Sequence, residues 1–282
     1  IAIFWWEFED YFTNTQCFEF LDEIIVFFFF SYLALQKVVQ DKVKLTKLEY
    51  PFIIHQANLS QIETLAYHEI VPNKFYVLFV FDIHSYIERK NPRGVVDAFY
   101  SAWQNNKNMH LVLKITNLEL WRSECRDFLS YIDGLGIRTS VTIISDNLTE
   151  QAMRDLVNAC DIYISLHRAE GLGLGMLEAM SMGKPVIATR FGGNLDFMND
   201  TNSLLVDYSI VEVQKDFASY KKGYKWAEPD VVIAAKYLLS LSQDKNLYNK
   251  ISLCAKESVA RQYDRVKLRQ SYQKIFKERD AS

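Results

Sequence analysis

Ser165-Leu-His-Arg-Ala-Glu170-Gly-Leu-Gly-Leu-Gly-Met-Leu-Glu178-Ala-Met-Ser-Met-Gly-Lys-Pro185 decides how the rest of the chain is read. An extended apolar run, Asp161-Ile-Tyr-Ile-Ser165, delivers it. After Gly173 a helical spacing begins with Leu174, Leu177 and Met180, and Gly183 and Pro185 stop it. A strand that feeds a glycine-rich turn at a helix start is a ready-made anion site. The free N–H groups of Gly171, Leu172, Gly173 and Leu174 and the positive end of the helix dipole can hold a phosphate there. Two carboxylates bracket the turn. Glu170 and Glu178 are at most about 12 Å apart along a helix, so they can reach different ends of one elongated ligand. The dinucleotide fingerprint is excluded by spacing, because its third glycine position falls on Met176 or Glu178.

The same residues carry a resemblance. Ser165-Leu-His-Arg168, then Glu170, the glycine turn, Glu178-Ala-Met, Gly183-Lys-Pro-Val-Ile-Ala-Thr189 and Gly193-Asn194 resemble the donor site of retaining GT-B glycosyltransferases of family 4. The resemblance implies an α/β fold: a Rossmann-like parallel sheet with helices on both faces, the C-terminal half of a GT-B fold, preceded by a remnant of the N-terminal domain. It implies transfer of a sugar, with retention of configuration, from a nucleotide-sugar donor to a saccharide or lipid-linked acceptor. Glu170 is then the catalytic carboxylate beside the sugar, Glu178 accepts hydrogen bonds from the ribose, and the 171–174 turn and Gly192-Gly193-Asn194 line the donor.

Composition sets the outer bounds. At 282 residues and 49% hydrophobic content the chain can bury one large core or two smaller ones, as a globular enzyme does. A formal charge of -3 gives no electrostatic reason to expect nucleic acid as a partner. Cys17, Cys125, Cys160 and Cys254 match no zinc or redox spacing, which suggests reduced, mostly buried thiols in a cytoplasmic protein. There is no Asp-x-Asp pair and no histidine cluster with metal-ligand spacing. That agrees with a donor site built from Arg, Lys and helix-end amides, with no metal and no cofactor beyond the donor itself.

Toward the amino terminus, Ile24-Ile-Val-Phe-Phe-Phe-Phe30 is too short to span a bilayer and reads as a buried parallel strand entering a helix. Glu7, Glu9 and Asp10 ahead of it leave no basic segment for a signal peptide. In the family a Trp-Glu pair, an Asp-Glu strand and a serine follow in order late in the N-terminal domain, and Trp6-Glu7, Asp22-Glu23 and Ser31 keep that order. The implied organisation is 1–50 as the tail end of an acceptor-side domain, 51–74 as linker, 75–260 as the nucleotide-sugar-binding domain and 261–282 as a helix crossing back. A missing N-terminal half or a partner chain is then expected, and a lipid-linked acceptor is compatible with peripheral attachment to a membrane. The alternative is an incomplete or non-catalytic nucleotide-sugar-binding module.

From Phe75 onward strand and helix alternate. Strands are expected at 43–54, 75–82, 111–116, 141–144 and 203–207, and helices at 62–68, 91–103, 120–135, 149–159 and 251–280, with Asn91 and Thr149 as caps. Such alternation means βαβ units with ligands at the carboxyl ends of the strands. That rule places Arg89 and Lys90 on the rim with the glycine turn. Alone they read as a solvated pair, and by resemblance they hold the donor phosphates. Lys114 is open to two readings, toward the ligand or snorkelling to water. His167 and Arg168 each have a structural and a ligand reading, arginine being the better holder of anionic oxygens. Residues 211–226 show no clear period, and Trp226-Ala-Glu-Pro-Asp230 reads as a helix cap with Pro229 in the first turn.

Overall fold

The computed structural model describes residues 1–4, 6–7, 15–39, 43–118, 122–217 and 220–280. A small N-terminal layer holds strands β1 (Ala2–Phe4), β2 (Glu23–Val26) and β3 (Lys44–Lys47) in one parallel sheet, with helix α1 (Phe29–Val39) packed on it. The expected strand at 43–54 is thus only four residues long. A short helix α2 (Gln61–Tyr67) follows, started by a capping box between Ser60 and Glu63.

The main body begins with β4 (Phe75–Asp82), whose β-branched and aromatic residues suit a strand buried on both faces. Helix α3 (Ile87–Lys90), α4 (Pro92–Asn105), β5 (Met109–Thr116), α5 (Arg122–Gly134), β6 (Val141–Ile144), α6 (Glu150–Ala159), β7 (Ile162–Ser165), α7 (Leu174–Ser181), β8 (Val186–Thr189) and β9 (Leu204–Val206) complete the alternation. The expected start of α5 at Leu120 and the side chain of Cys125 lie outside the described residues.

These strands form one six-stranded parallel sheet in the order β6-β5-β4-β7-β8-β9. Alternate residues of β4 serve two cores. Val77, Phe79 and Phe81 pack with α4, α5 and α8 (Val231–Gln243) on one face; Tyr76 and Leu78 pack with α6, α7 and α9 (Lys245–Gln262) on the other. The order reverses between β4 and β7, and these strands pair only at Val77–Ile162 and Leu78–Tyr163. A crevice therefore opens at their carboxyl ends, the position at which doubly wound sheets bind ligands.

Three sequence expectations change. An antiparallel arm, β10 (Tyr208–Glu212) with β11 (Lys225–Pro229), brackets the stretch that showed no clear period. Pro229 ends that strand, and Asp230 caps α8 by accepting from Val232 and Ile233. The two strands are joined by a long connection without a tight-turn signal, so neither registers as a hairpin locally. The C-terminal helical stretch is divided at Tyr263, with Asp264 starting α10 (Arg265–Asp280). Among the cysteines whose side chains are described, Cys160 is buried, Cys254 is half-buried and Cys17 is exposed.

The N-terminal layer is fastened to the body by polar contacts. Phe29 N–H, at the start of α1, donates to the Asp196 carboxylate at 3.0 Å, and Lys47 Nζ lies 3.1 Å from the same group. The Tyr272 hydroxyl of α10 donates to the Glu49 carbonyl at 2.9 Å. Among the described residues no helix is long and apolar enough to cross a membrane.

Asn91 joins α3 to α4 in a left-handed conformation. Its side chain accepts from Gly94 N–H at 3.2 Å and donates to the Leu166 carbonyl at 3.0 Å, tying the start of α4 to the end of β7. Asn91→Ala removes a cap and strands a buried carbonyl, so urea melts should show a loss of about 2–3 kcal/mol.

Candidate functional site

The crevice between β4 and β7 holds a cavity of about 320 Å³. Asp82 and Ser85 line it from the end of β4, Thr116 from the end of β5, and Tyr163 and Ser165 from β7. Lys90, Glu170 and residues 172–176 complete the walls. Gly173 caps α7 in the left-handed conformation that an L side chain rarely adopts. Tyr163 explains Gly175, because a Cβ there would stand 2.5 Å from the tyrosine hydroxyl.

Glu170 is the electrostatic centre. Its Oε2 is 2.5 Å from Lys90 Nζ and 3.5 Å from Arg89 Nη1, and its Oε1 accepts from Gly173 N–H at 3.3 Å. Burial works against the charge, yet Lys90 and Arg89 hold the carboxyl well below the usual carboxylate range. Glu170 therefore stays ionised at neutral pH.

Arg89 and Lys90 part ways. Lys90 faces the cavity, while Arg89 is only 5% exposed and is absent from its walls. The Arg89 guanidinium donates to the Ser85 and Ala169 carbonyls, both at 2.9 Å, and to Glu7 Oε1 at 3.0 Å. Glu7 and Tyr220, whose hydroxyl donates to Glu7 Oε2, were not singled out by the sequence as site residues. Trp6-Glu7 was legible only as a marker of chain order, since no spacing connects position 7 to position 89.

The remaining expected residues divide similarly. Lys114 is buried and its Nζ donates to Thr116 Oγ1 at 3.2 Å, one side chain behind the cavity wall; burial lowers its amine below the ordinary range. Arg168 turns away: it makes a two-pronged bond to Glu228 of β11 at 2.6 and 2.9 Å and donates to the Glu88 carbonyl at 2.7 Å. It fastens the arm, as the structural reading of this residue expects. His167 is fully buried, as its structural reading expects. Its Nε2 donates to the Phe191 carbonyl at 2.8 Å, so Nδ1 is the acceptor for Ser165 Oγ at 3.0 Å.

Gly192, Gly193 and Asn194 lie behind the glycine turn. A Cβ on Gly193 would stand 2.0 Å from the Gly171 carbonyl oxygen and one on Gly192 2.3 Å from that of Glu170, while Gly193 N–H donates to the Glu170 carbonyl at 2.8 Å. Their glycines serve backbone-to-backbone contact. Asn194 is buried and donates to the Thr189 carbonyl at 3.1 Å. Glu178 is half-buried on α7, outside the cavity walls, where burial raises its carboxyl and Arg154 and His55 oppose the rise.

A larger cavity, about 640 Å³, lies between α1 and Gly192 and is walled mainly by Phe30, Leu33, Phe191 and Leu195. It brings no acid–base pair together, since its Arg190 is engaged by Asp200 and Asp207. Of these two, the smaller cavity is the one that brings a cation and a carboxylate together, Lys90 and Glu170. Among the described residues no group of three His, Cys, Asp or Glu side chains could hold a metal ion.

The six-stranded parallel sheet flanked by helices matches structures of GT-B glycosyltransferases. The chain belongs to the Glycosyl transferases group 1 family, whose profile matches residues 74–218. No curated protein matches it. Similar solved structures include Anabaena Alr3699/HepE in complex with UDP and glucose, at 19% identity and TM-score 0.72 over 91% of this chain and 63% of that one. Staphylococcus aureus TarM, at 15% identity and TM-score 0.71, is matched over 97% of this chain and 49% of its own. The pneumococcal O-GlcNAc transferase GtfA in complex with UDP and GlcNAc, at 16% identity and TM-score 0.70, is matched over 98% and 52%. The chain thus spans 49–63% of these three structures.

Burial pushes the His167 imidazole, and likewise that of His110 within β5, down to about 4. The unfolded chain takes up these protons below about pH 6.5 and the folded one only near 4, so this stability is complete above 6.5 and is lost as pH falls between the two. Each histidine contributes up to about 1.4 kcal/mol per pH unit in that window. Urea melts from pH 7.5 to 5 should therefore show a flatter pH dependence for His110→Gln and His167→Gln than for the unmodified chain.

Proposed function

We propose that this chain forms the donor side of a glycosyltransferase that moves a sugar from a nucleotide-sugar donor to a saccharide or lipid-linked acceptor. The observation that carries the reading is the Lys90–Glu170 pair, facing the switch-point cavity directly before the glycine turn that opens α7. Departure of a nucleoside diphosphate leaves positive charge at the anomeric carbon and negative charge on the phosphates. Lys90 and the amides at the start of α7 favour the second, and the ionised Glu170 favours the first. Retention of configuration and independence of metal follow the sequence resemblance and belong to the same proposal.

Glu178 takes the ribose in this reading, which requires the nucleotide to extend from the cavity along α7. The two glutamates then flank a whole sugar nucleotide, unlike the paired carboxylates of glycosidases around one oxygen. A second reading, binding without transfer by this chain alone, is favoured by one observation: the chain spans only 49–63% of the three transferases described above.

Titration calorimetry tests both glutamate and lysine roles, with UDP as first probe because several of the similar structures hold it. Lys90→Ala should weaken UDP binding by about 1.5–3 kcal/mol, the worth of a charge-assisted hydrogen bond, and leave uridine unaffected. Equal loss of both ligands, or of neither, removes Lys90 from the phosphates. Glu178→Ala should weaken UDP and uridine alike, again by about 1.5–3 kcal/mol. An unchanged affinity for both would return Glu178 to the helix surface.

A further inference from the structure

Glu7 belongs to the N-terminal layer, yet its carboxylate reaches Arg89 behind the wall of the candidate donor site. The backbone before it is fixed at both polar atoms: Trp6 N–H donates to Ser31 Oγ at 2.9 Å, and the Ser31 hydroxyl donates back to the Trp6 carbonyl at 3.0 Å. From that anchor Glu7 Oε1 accepts from Arg89 Nη1 at 3.0 Å and Oε2 accepts from the Tyr220 hydroxyl. The same Arg89 nitrogen lies 3.5 Å from Glu170 Oε2. One guanidinium thus bridges two carboxylates, one from each layer of the molecule. Gly171 allows the approach, since a Cβ there would stand 3.1 Å from Glu7 Cγ.

The arrangement explains why Arg89 is withdrawn from the cavity that Lys90 faces. Removing one member of a buried ionic group leaves the others to rearrange, because an unpaired buried charge is costly. Without the Glu7 charge, Arg89 would turn its full attraction on Glu170 and draw the carboxylate from Lys90 and from Gly173 N–H. We propose that Glu7 is a positioning residue for the donor site: acting through Arg89 it sets the carboxylate of Glu170, and its bond to Tyr220 docks the β10–β11 arm on the same group. The inference rests on reading the switch-point cavity as the donor site. Burial outweighs the attraction of Arg89 and raises the Glu7 carboxyl on balance, so the positioning role rests on the hydrogen bonds to Arg89 and Tyr220.

The test is titration of the whole 282-residue chain with UDP, GDP, UDP-glucose and GDP-mannose, comparing the unmodified protein with Glu7→Gln, Glu7→Asp and Tyr220→Phe, with thermal melts alongside. Because Glu170 would lie by the sugar, Glu7→Gln should weaken binding of the sugar nucleotide about tenfold relative to its nucleoside diphosphate. Tyr220→Phe should act in the same direction by about threefold, and Glu7→Asp should restore part of the loss by keeping the charge. Equal loss of both ligand types, or a lower melting temperature with the ratio unchanged, would overturn the positioning role and leave Glu7 as a fastening between layers. Should Glu7→Gln fail to fold, the ratio in Tyr220→Phe decides. If the unmodified chain binds none of the four, the donor-site reading fails and this proposal falls with it.

Discussion

Glu170 is a carboxylate with little access to water, and the cost of keeping it charged shapes its surroundings. Taking an ion out of water costs several kcal/mol unless partners and hydrogen bonds replace the lost hydration. Here the replacement comes from Lys90, Arg89 and the Gly173 amide, delivered by segments that are far apart in the chain. The short α3 and the left-handed Asn91 present the two cations, β7 presents the carboxylate, and the N-terminal layer contributes Glu7 to balance the second cation. Loss of charge balance at any of these points would be felt at the others.

A second constraint is steric. The turn around Gly192 and Gly193 lies against the backbone of Glu170 and Gly171 so closely that neither glycine has space for a side chain. The contact holds the carbonyl side of Glu170 in place while the ion pairs hold its carboxylate, so the residue is fixed at both ends. His167, neutral and bonded at both ring nitrogens, supports the same loop from below through Ser165 and Phe191. The arm reaches this loop by way of Arg168, which is clamped to Glu228 and whose carbonyl accepts from Ala227 N–H.

The main-body elements were legible in the sequence because their signals are local. The apolar run of β4, the Asn91 and Thr149 caps and the glycine turn before α7 each depend on residues within a few positions of one another. Where the partner is distant the reading failed. The strands at Tyr208–Glu212 and Lys225–Pro229 are strands only because they pair with each other, and Pro229 is tolerated at the end of its strand although its sequence context resembles a helix start.

By itself the sequence determined the class of fold, the place of the glycine turn before α7 and the candidacy of Glu170, since periodicity and glycine spacing are properties of contiguous residues. It could not determine which of the neighbouring polar side chains face the cavity. Arg89 and Lys90 are adjacent, as are His167 and Arg168, yet His167 and Arg168 meet different partners, and Arg89 and Lys90 share only Glu170, Arg89 alone going on to Glu7. Only the tertiary structure decided that Lys90 meets the cavity while Arg89 joins Glu170 to Glu7, because that choice is made by charges brought together from positions 7, 89, 90 and 170, which no spacing in the chain records.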